Sequence, residues 1–104
     1  IGPCPDTGIN ESLSSAARPA AELCSHDDAI RLHLYTDAPC LVVYSGGFIE
    51  AGLPLGPGLE TSENCAIALE AQDIPDAPNQ HFLPYHITRA GDVYERNIVY
   101  EIIA

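Results

Sequence analysis

The fold is decided first by the stretch IRLHLY, residues Ile30–Tyr35. Its aliphatic residues alternate with an arginine, a histidine and a tyrosine, which is the period of a half-buried β-strand. The turn Asp37–Pro39 follows. The next run, LVVY at Leu41–Tyr44, is β-branched and aromatic and ends at Ser45–Gly47. We therefore predict two strands that are neighbours in a hairpin or a meander.

Further strands are predicted from other runs of apolar and β-branched residues. They are Cys65–Gln72, a strand around Tyr85–Thr88, and Val93–Ile103. Segments rich in Gly, Pro, Asp and Asn predict loops and turns. These are Ile1–Glu11, Glu50–Asn64, Pro75–Asn79 and Arg89–Asp92. Ser12–Leu23 is predicted to be a loop and a short strand, because Arg18-Pro19 interrupts its Ala-rich centre.

No segment shows the period of an amphipathic helix, so the predicted fold class is all-β, as part of an antiparallel β-sandwich. The apolar centre Ile98–Tyr100 of the last strand predicts burial on both faces. Strands without partners leave backbone N–H and C=O groups unpaired. The chain also opens on Ile1 and contains no methionine. We therefore expect residues 1–104 to be the C-terminal portion of one domain, whose strands pair with a separate N-terminal portion.

The charge of the chain excludes several classes of partner. Fifteen acidic residues stand against four arginines and no lysine, which gives a formal net charge of −11. Such a surface repels phosphate backbones and anionic lipid, so we expect no nucleic-acid and no membrane partner. There is neither a signal-peptide pattern nor an apolar run of the ~20 residues that span a bilayer. We expect a soluble, cytoplasmic protein, and a neutral small molecule remains open as its ligand.

The cysteines and histidines form no metal-ligand pattern. Cys4, Cys24, Cys40 and Cys65 are widely spaced, without a CxxC pair or a neighbouring histidine cluster. We expect reduced cysteines that pack as small hydrophobic residues. The histidines are interpreted as solvated or structural side chains. They are His26, His33, His81 and His86.

The predicted strand CAIALEAQ, Cys65–Gln72, carries the most informative polar residues. Because side chains alternate along a strand, Glu70 and Gln72 share one face with Ala66 and Ala68. Small residues beside a carboxylate and an amide are what the wall of a polar-ligand pocket requires. The same pattern also fits a glutamate that faces solvent from an exposed sheet, so periodicity alone does not make Glu70 catalytic.

Four segments, in order, resemble the motifs of the aldose 1-epimerase (galactose mutarotase) family. Ala68–Gln80 looks like its Leu-Glu-x-Gln run followed by Pro-Asp-x-x-Asn. Leu34–Pro39 and Val43–Phe48 resemble its Tyr-Thr-x-x-Pro and Tyr-(Thr/Ser)-Gly-Asn-Phe elements. Arg89–Tyr94 is similar to its Arg-Pro-Gly-Glu-x-Tyr turn. The series covers the chain from about Ile30 to its end, and this order is more specific than any one motif.

The resemblance implies a galactose mutarotase-like β-sandwich, about three times as long as this chain. The implied activity is the interconversion of α and β anomers of free aldohexoses, with no metal or nucleotide cofactor. Glu70 matches the catalytic base. The family's acid, a histidine in a His-Thr-Tyr-Phe-Asn-Leu-like stretch, has no counterpart in this chain. We therefore expect the acid on the N-terminal portion and the isolated chain to be inactive.

Two positions depart from the family pattern. Asn10 replaces an aspartate that contacts a sugar hydroxyl; it can still bind one, and it equally fits a turn residue. Val42 stands where several members carry a glutamine that touches substrate. We predict Asn10 and Gln72 as substrate-binding residues. The alternatives left open are a hexose-phosphate epimerase-like enzyme and a non-catalytic carbohydrate-binding module.

Overall fold

The computed structural model describes residues 18–104, and their regular structure consists of strands and one short 3₁₀ turn. The strands are β1 Ala21–Cys24, β2 Arg31–Thr36, β3 Cys40–Tyr44, β4 Pro54–Gly56, β5 Leu59–Glu60, β6 Ala68–Gln72 and β7 Ile98–Ile103. The 3₁₀ turn is Ala77–Asn79. The predicted all-β class is confirmed. No helix within the described range is long and apolar enough to cross a membrane.

The larger sheet contains three antiparallel strands in the order β1-β2-β7. Its centre is Leu34 of β2, which lies opposite Ala21 of β1 and Tyr100 of β7. Leu34 is the one large side chain within residues 18–104 that is fully buried, at 0% exposure. The alternation of the IRLHLY stretch therefore did identify the strand at the centre of this small core.

The second sheet pairs β3 with β6, so β2 and β3 are not neighbours as predicted. The corner between them explains the difference. The Asp37 carboxylate accepts hydrogen bonds from the backbone N–H of Asn97 at 3.0 Å and from its side-chain amide at 2.9 Å. Because these bonds hold the corner against the residue before β7, β3 leaves the first sheet instead of folding back along β2.

Two local predictions were wrong. Glu50–Asn64 is not all loop: β4 and β5 form a small hairpin, supported by the Thr61 hydroxyl. That hydroxyl donates to the Glu50 carbonyl at 2.6 Å and accepts from the Leu53 N–H at 2.8 Å. No strand forms at Tyr85–Thr88, whose residues are exposed and have no ladder partner in the described part of the chain.

The burial predicted for the last strand and for the cysteines also differs from the structure. β7 begins at Ile98 rather than Val93, and Ile98 and Tyr100 are 42% and 50% exposed. Within residues 18–104 β7 pairs only with β2, which leaves it at a sheet edge. Cys24 and Cys65 are free and exposed, and Cys40 is half-buried, so packing as small hydrophobic residues is wrong for the first two.

One polar cluster crosses all three strands of the larger sheet. His33 lies opposite Glu22 of β1 and Glu101 of β7. Its Nε2 is 2.7 Å from a Glu22 oxygen and its Nδ1 is 3.1 Å from a Glu101 oxygen. The Tyr35 hydroxyl donates to the same Glu101 oxygen at 3.0 Å. Two carboxylate partners favour the imidazolium, in which both ring nitrogens donate. His33 is thus a structural histidine, as expected.

This cluster predicts a window of pH for maximal stability. The hydrogen bond to Glu22, and next that to Glu101, raises the pKa of His33 above its ordinary 6.5. The hydrogen bond from His33 lowers the pKa of Glu22 below 4.5. The stabilisation by His33 is therefore complete below pH 6.5 and is lost as the pH rises through its raised pKa. The part of the stabilisation that is due to Glu22 is complete above pH 4.5 and is lost as the pH falls through its lowered pKa.

Urea midpoints measured between about pH 6 and pH 8.5 test this window. We expect the midpoint of the wild type to fall as the pH rises, and that fall to be smaller in His33→Gln. Arg31 and Cys24 also lie on this face, and the pKa of Cys24 is raised above 9.0, so neither titrates in the range. An equal slope in both proteins would contradict the assignment.

Candidate functional site

The candidate site lies on the two-stranded sheet formed by β3 and β6. In its antiparallel register Glu70 of β6 lies opposite Val42 of β3, and Gln72 lies opposite Cys40. Since alternate residues of a strand face the same side, Glu70 and Gln72 share one face. Tyr44 and Ala68 form the next pair on this face. The sheet therefore brings together two of the residues predicted from sequence, whereas Asn10 lies outside the described residues.

The Glu70 side chain has open space in front of it. It is exposed, while Gln72 and Val42 are half-buried. The Glu70 carboxylate enters none of the ion pairs formed within residues 18–104. On this face Ala68 is small and Val42 is apolar, whereas Gln72 is the polar neighbour of Glu70. A carboxylate in this position is able to accept a proton from a ligand, and Gln72 offers both a donor and an acceptor.

The turn after β3 closes one end of this face. Gly46 is buried and has a φ of 78°, and its carbonyl accepts the N–H groups of Ile49 at 3.1 Å and Asn64 at 3.0 Å. The N–H of Phe48 donates to the Tyr44 hydroxyl at 2.8 Å. That hydroxyl is therefore engaged by the turn. Gln72 is then the neighbour of Glu70 whose amide remains for a ligand.

Gly46 is a position where an added methyl group should be costly. A Cβ there would lie 2.8 Å from the Ile49 Cδ1 and 3.0 Å from the Ala66 carbonyl oxygen, at a φ that side chains disfavour. We expect Gly46→Ala to lower the free energy of unfolding by about 1–3 kcal/mol in urea titrations. Gly47→Ala is the matched control, because its Cβ would meet only the Asn64 Oδ1 at 3.6 Å. Equal losses in both variants would contradict this account.

The turn after β6 is held by hydrogen bonds among its own side chains. Asp76 adopts a left-handed backbone with a φ of 59°. Its carboxylate accepts from the side-chain amides of Asn79 at 2.6 Å and Gln80 at 2.8 Å. These hydrogen bonds lower the pKa of Asp76. The turn predicted at Pro75–Asn79 is thus confirmed; Asp76 and Asn79 shape it, and Ala77 within it is buried.

Sequence reasoning missed two residues that contact β6 or the residue after it: Arg96, which lies just before β7, and Tyr100 within β7. The Arg96 guanidinium donates to the Asp73 carboxylate at 2.8 Å, directly after β6. The Tyr100 hydroxyl donates to the Leu69 carbonyl at 3.4 Å. The sequence did indicate that Arg96 would form an ion pair, since the chain has only four arginines against fifteen acidic residues. It did not indicate the partner, because Asp73 is distant in the sequence.

The chain is similar to known sugar epimerases over most of its length. The aldose 1-epimerase family model matches residues 6–101. The chain is 34% identical over 87 residues to aldose 1-epimerases of Escherichia coli (strain K12) and Shigella flexneri. Each match covers 82% of this chain and 25% of the relative, so the chain spans about a quarter of the length of these curated relatives. No solved structure matches it significantly.

Proposed function

This chain belongs to the aldose 1-epimerase family, and from that premise we propose that it forms part of an enzyme that interconverts the α and β anomers of a free aldohexose. The observation that carries the proposal is the exposed Glu70 carboxylate, free of ion pairs within residues 18–104 and facing the same side as Gln72. We assign Glu70 as the general base. Gln72 and Asn10 are assigned to sugar hydroxyls.

The proposed reaction needs one group on each side of a hemiacetal. Glu70 removes the proton of the C1 hydroxyl while an acid protonates the ring oxygen. The C1–O5 bond breaks, and C1 becomes an aldehyde carbon. Rotation about C1–C2 then presents the other face of the aldehyde to O5. On closure O5 bonds to C1 and gives its proton back to the acid, while Glu70 returns its proton to O1, so that the configuration at C1 is inverted. A positioned acid or base of this kind contributes ~10²–10⁴-fold.

The acid is proposed to come from a further portion of the protein, N-terminal to this chain. Three histidines of the chain lie outside every strand, in exposed positions: His26, His81 and His86. His33 is bound to Glu22 and Glu101 in the other sheet. The exposed edge strand β7 and its apolar residues Ile98, Tyr100 and Ile102 support an additional layer or strand at that side. The chain alone is then inactive.

The test begins with the intact mass of everything that co-purifies with this chain. We expect a longer polypeptide or a companion with a His-Thr-Tyr-Phe-Asn-Leu-like stretch, and polarimetry on α-glucose and α-galactose should then show accelerated mutarotation. A chain that is alone, monomeric and stably folded would contradict the need for a second portion. An intact protein that leaves the spontaneous rate unchanged would contradict the enzymatic proposal.

Of the two alternatives, the non-catalytic binding module is the one that an observation favours. Val42 lies directly opposite Glu70 and gives the carboxylate an apolar neighbour. Sugar binding without any acceleration of mutarotation would support this module. A phosphate-binding relative is less favoured, because Arg31 and Arg96 are already bound to carboxylates of this chain.

A further inference from the structure

Arg96 joins three segments that are distant in sequence. Its guanidinium donates to the Asp73 carboxylate at 2.8 Å and to the Asp37 carbonyl at 3.3 Å, and it lies 3.7 Å from the Asp37 carboxylate. Its Nε donates to the Tyr94 hydroxyl at 3.1 Å, with the guanidinium carbon 5.6 Å from the centre of that ring. The Arg96 side chain is only 16% exposed. Each of these contacts uses the planar, multi-donor geometry of arginine.

These contacts lie at the junction of the two sheets. Asp37 is the corner between β2 and β3, and Asp73 directly follows β6. Arg96 itself is two residues before β7. Neighbouring Asn97 adds two hydrogen bonds to Asp37, so the corner is held by successive residues. The ends of β3 and β6 that carry Cys40 and Gln72 are therefore fixed to the three-stranded sheet at this point.

Two residues near the start of β7, Arg96 and Tyr100, form hydrogen bonds on the two sides of Glu70 along the chain. Arg96 binds Asp73, which is three positions after Glu70, and the Tyr100 hydroxyl reaches the Leu69 carbonyl, which is one position before it. Within residues 18–104 the only ladder partner of β6 is β3. A two-stranded sheet is weakly constrained by itself. Within residues 18–104, the hydrogen bonds from Arg96 and Tyr100 therefore restrain β6 from outside its ladder with β3.

From this geometry we propose that Arg96 is a positioning residue, which holds the end of β6 and thereby sets the placement of Glu70 and Gln72. The inference rests on the proposed function for its catalytic consequence. A displaced base loses rate steeply, because reacting groups must stay near hydrogen-bond distance of the proton they transfer. Loss of Arg96 should therefore lower kcat more than it raises KM.

The experiment uses the intact protein that carries this chain, with Arg96→Gln, Arg96→Lys and Asp73→Asn. Arg31→Gln is the matched control, because Arg31 also forms an ion pair, with Asp28 at 2.8 Å, but in the other sheet and with 43% of its side chain exposed. We expect Arg96→Gln to lower kcat about tenfold or more with little change in KM. Asp73→Asn should share the loss, the double variant should add little, and Arg96→Lys should recover part of it.

A second readout does not depend on activity. Amide hydrogen exchange across β6 should be faster in Arg96→Gln than in wild type and unchanged in Arg31→Gln. Unchanged exchange, or a kcat equal to that of the Arg31→Gln control, would overturn the inference. If the wild type has no mutarotase activity, the proposed function fails, and the exchange rates alone still decide whether Arg96 positions β6. If the wild type is active but Glu70→Gln is too, the base assignment fails separately.

Discussion

Replacing Glu70 by Gln should reduce the rate of mutarotation by the intact protein by about 10²–10⁴-fold, because it removes the proposed base. Glutamine keeps the length and shape of the side chain and can still form hydrogen bonds, but it cannot take the proton of the C1 hydroxyl. The loss should appear in kcat, with KM changed little, since the contact is used in the transition state. Polarimetry on a freshly dissolved pure anomer measures both.

The control is Glu60→Gln. Glu60 is also an exposed strand glutamate, but it lies in the β4–β5 hairpin. Its replacement changes the net charge by the same amount and should leave the rate unaltered. A Glu70→Gln protein with wild-type kcat would refute the role of Glu70, whereas equal losses in both variants would indicate an effect of charge rather than of a base.

Replacing Leu34 by Ala should lower the free energy of unfolding by about 2–5 kcal/mol. Leu34 is fully buried at the centre of the three-stranded sheet, between Ala21 and Tyr100. Its truncation removes apolar contact and leaves a cavity, because the flanking strands are held by their ladders and close it only in part. The core of the described residues is small, with Leu34, Tyr35 and Ala77 as its buried hydrophobic members. Truncating Leu34 therefore removes a large fraction of the buried apolar contacts in this core.

Urea denaturation of the intact protein measures this loss. Val43→Ala in β3 is the comparison, because Val43 is 61% exposed and its truncation should cost well under half as much. A loss for Leu34→Ala no larger than that for Val43→Ala would show that the burial of Leu34 does not govern stability.

The local sequence pattern was sufficient to predict several of the strands and part of the candidate site. The alternation in Ile30–Tyr35 and the apolar run Leu41–Tyr44 predicted β2 and β3 closely. The period of Cys65–Gln72 predicted that Glu70 and Gln72 share a face. These features depend on side chains within a few positions of one another. The turn at Arg89–Asp92 was likewise local, and it closes with an Asp92 N–H to Arg89 carbonyl bond of 3.0 Å.

The pairing of strands was not local, and here the predictions failed. β2 and β3 are close in sequence but belong to different sheets, because Asp37 is bound by Arg96 and Asn97. The run Tyr85–Thr88 has strand-like composition, yet no partner strand reaches it within residues 18–104. Strand propensity reflects packing and pairing as much as the backbone, so a run without a partner remains extended loop.

By itself, then, the sequence determined the all-β class, the face that carries Glu70 and Gln72, and membership of the aldose 1-epimerase family. Only the tertiary structure decided which strands pair, that His33 joins Glu22 to Glu101, and that Arg96 reaches Asp73. The physical reason is the sequence distance over which each kind of interaction acts. Side-chain alternation and turn chemistry act over a few residues, whereas hydrogen bonds and ion pairs between distant segments depend on where the whole chain brings them together.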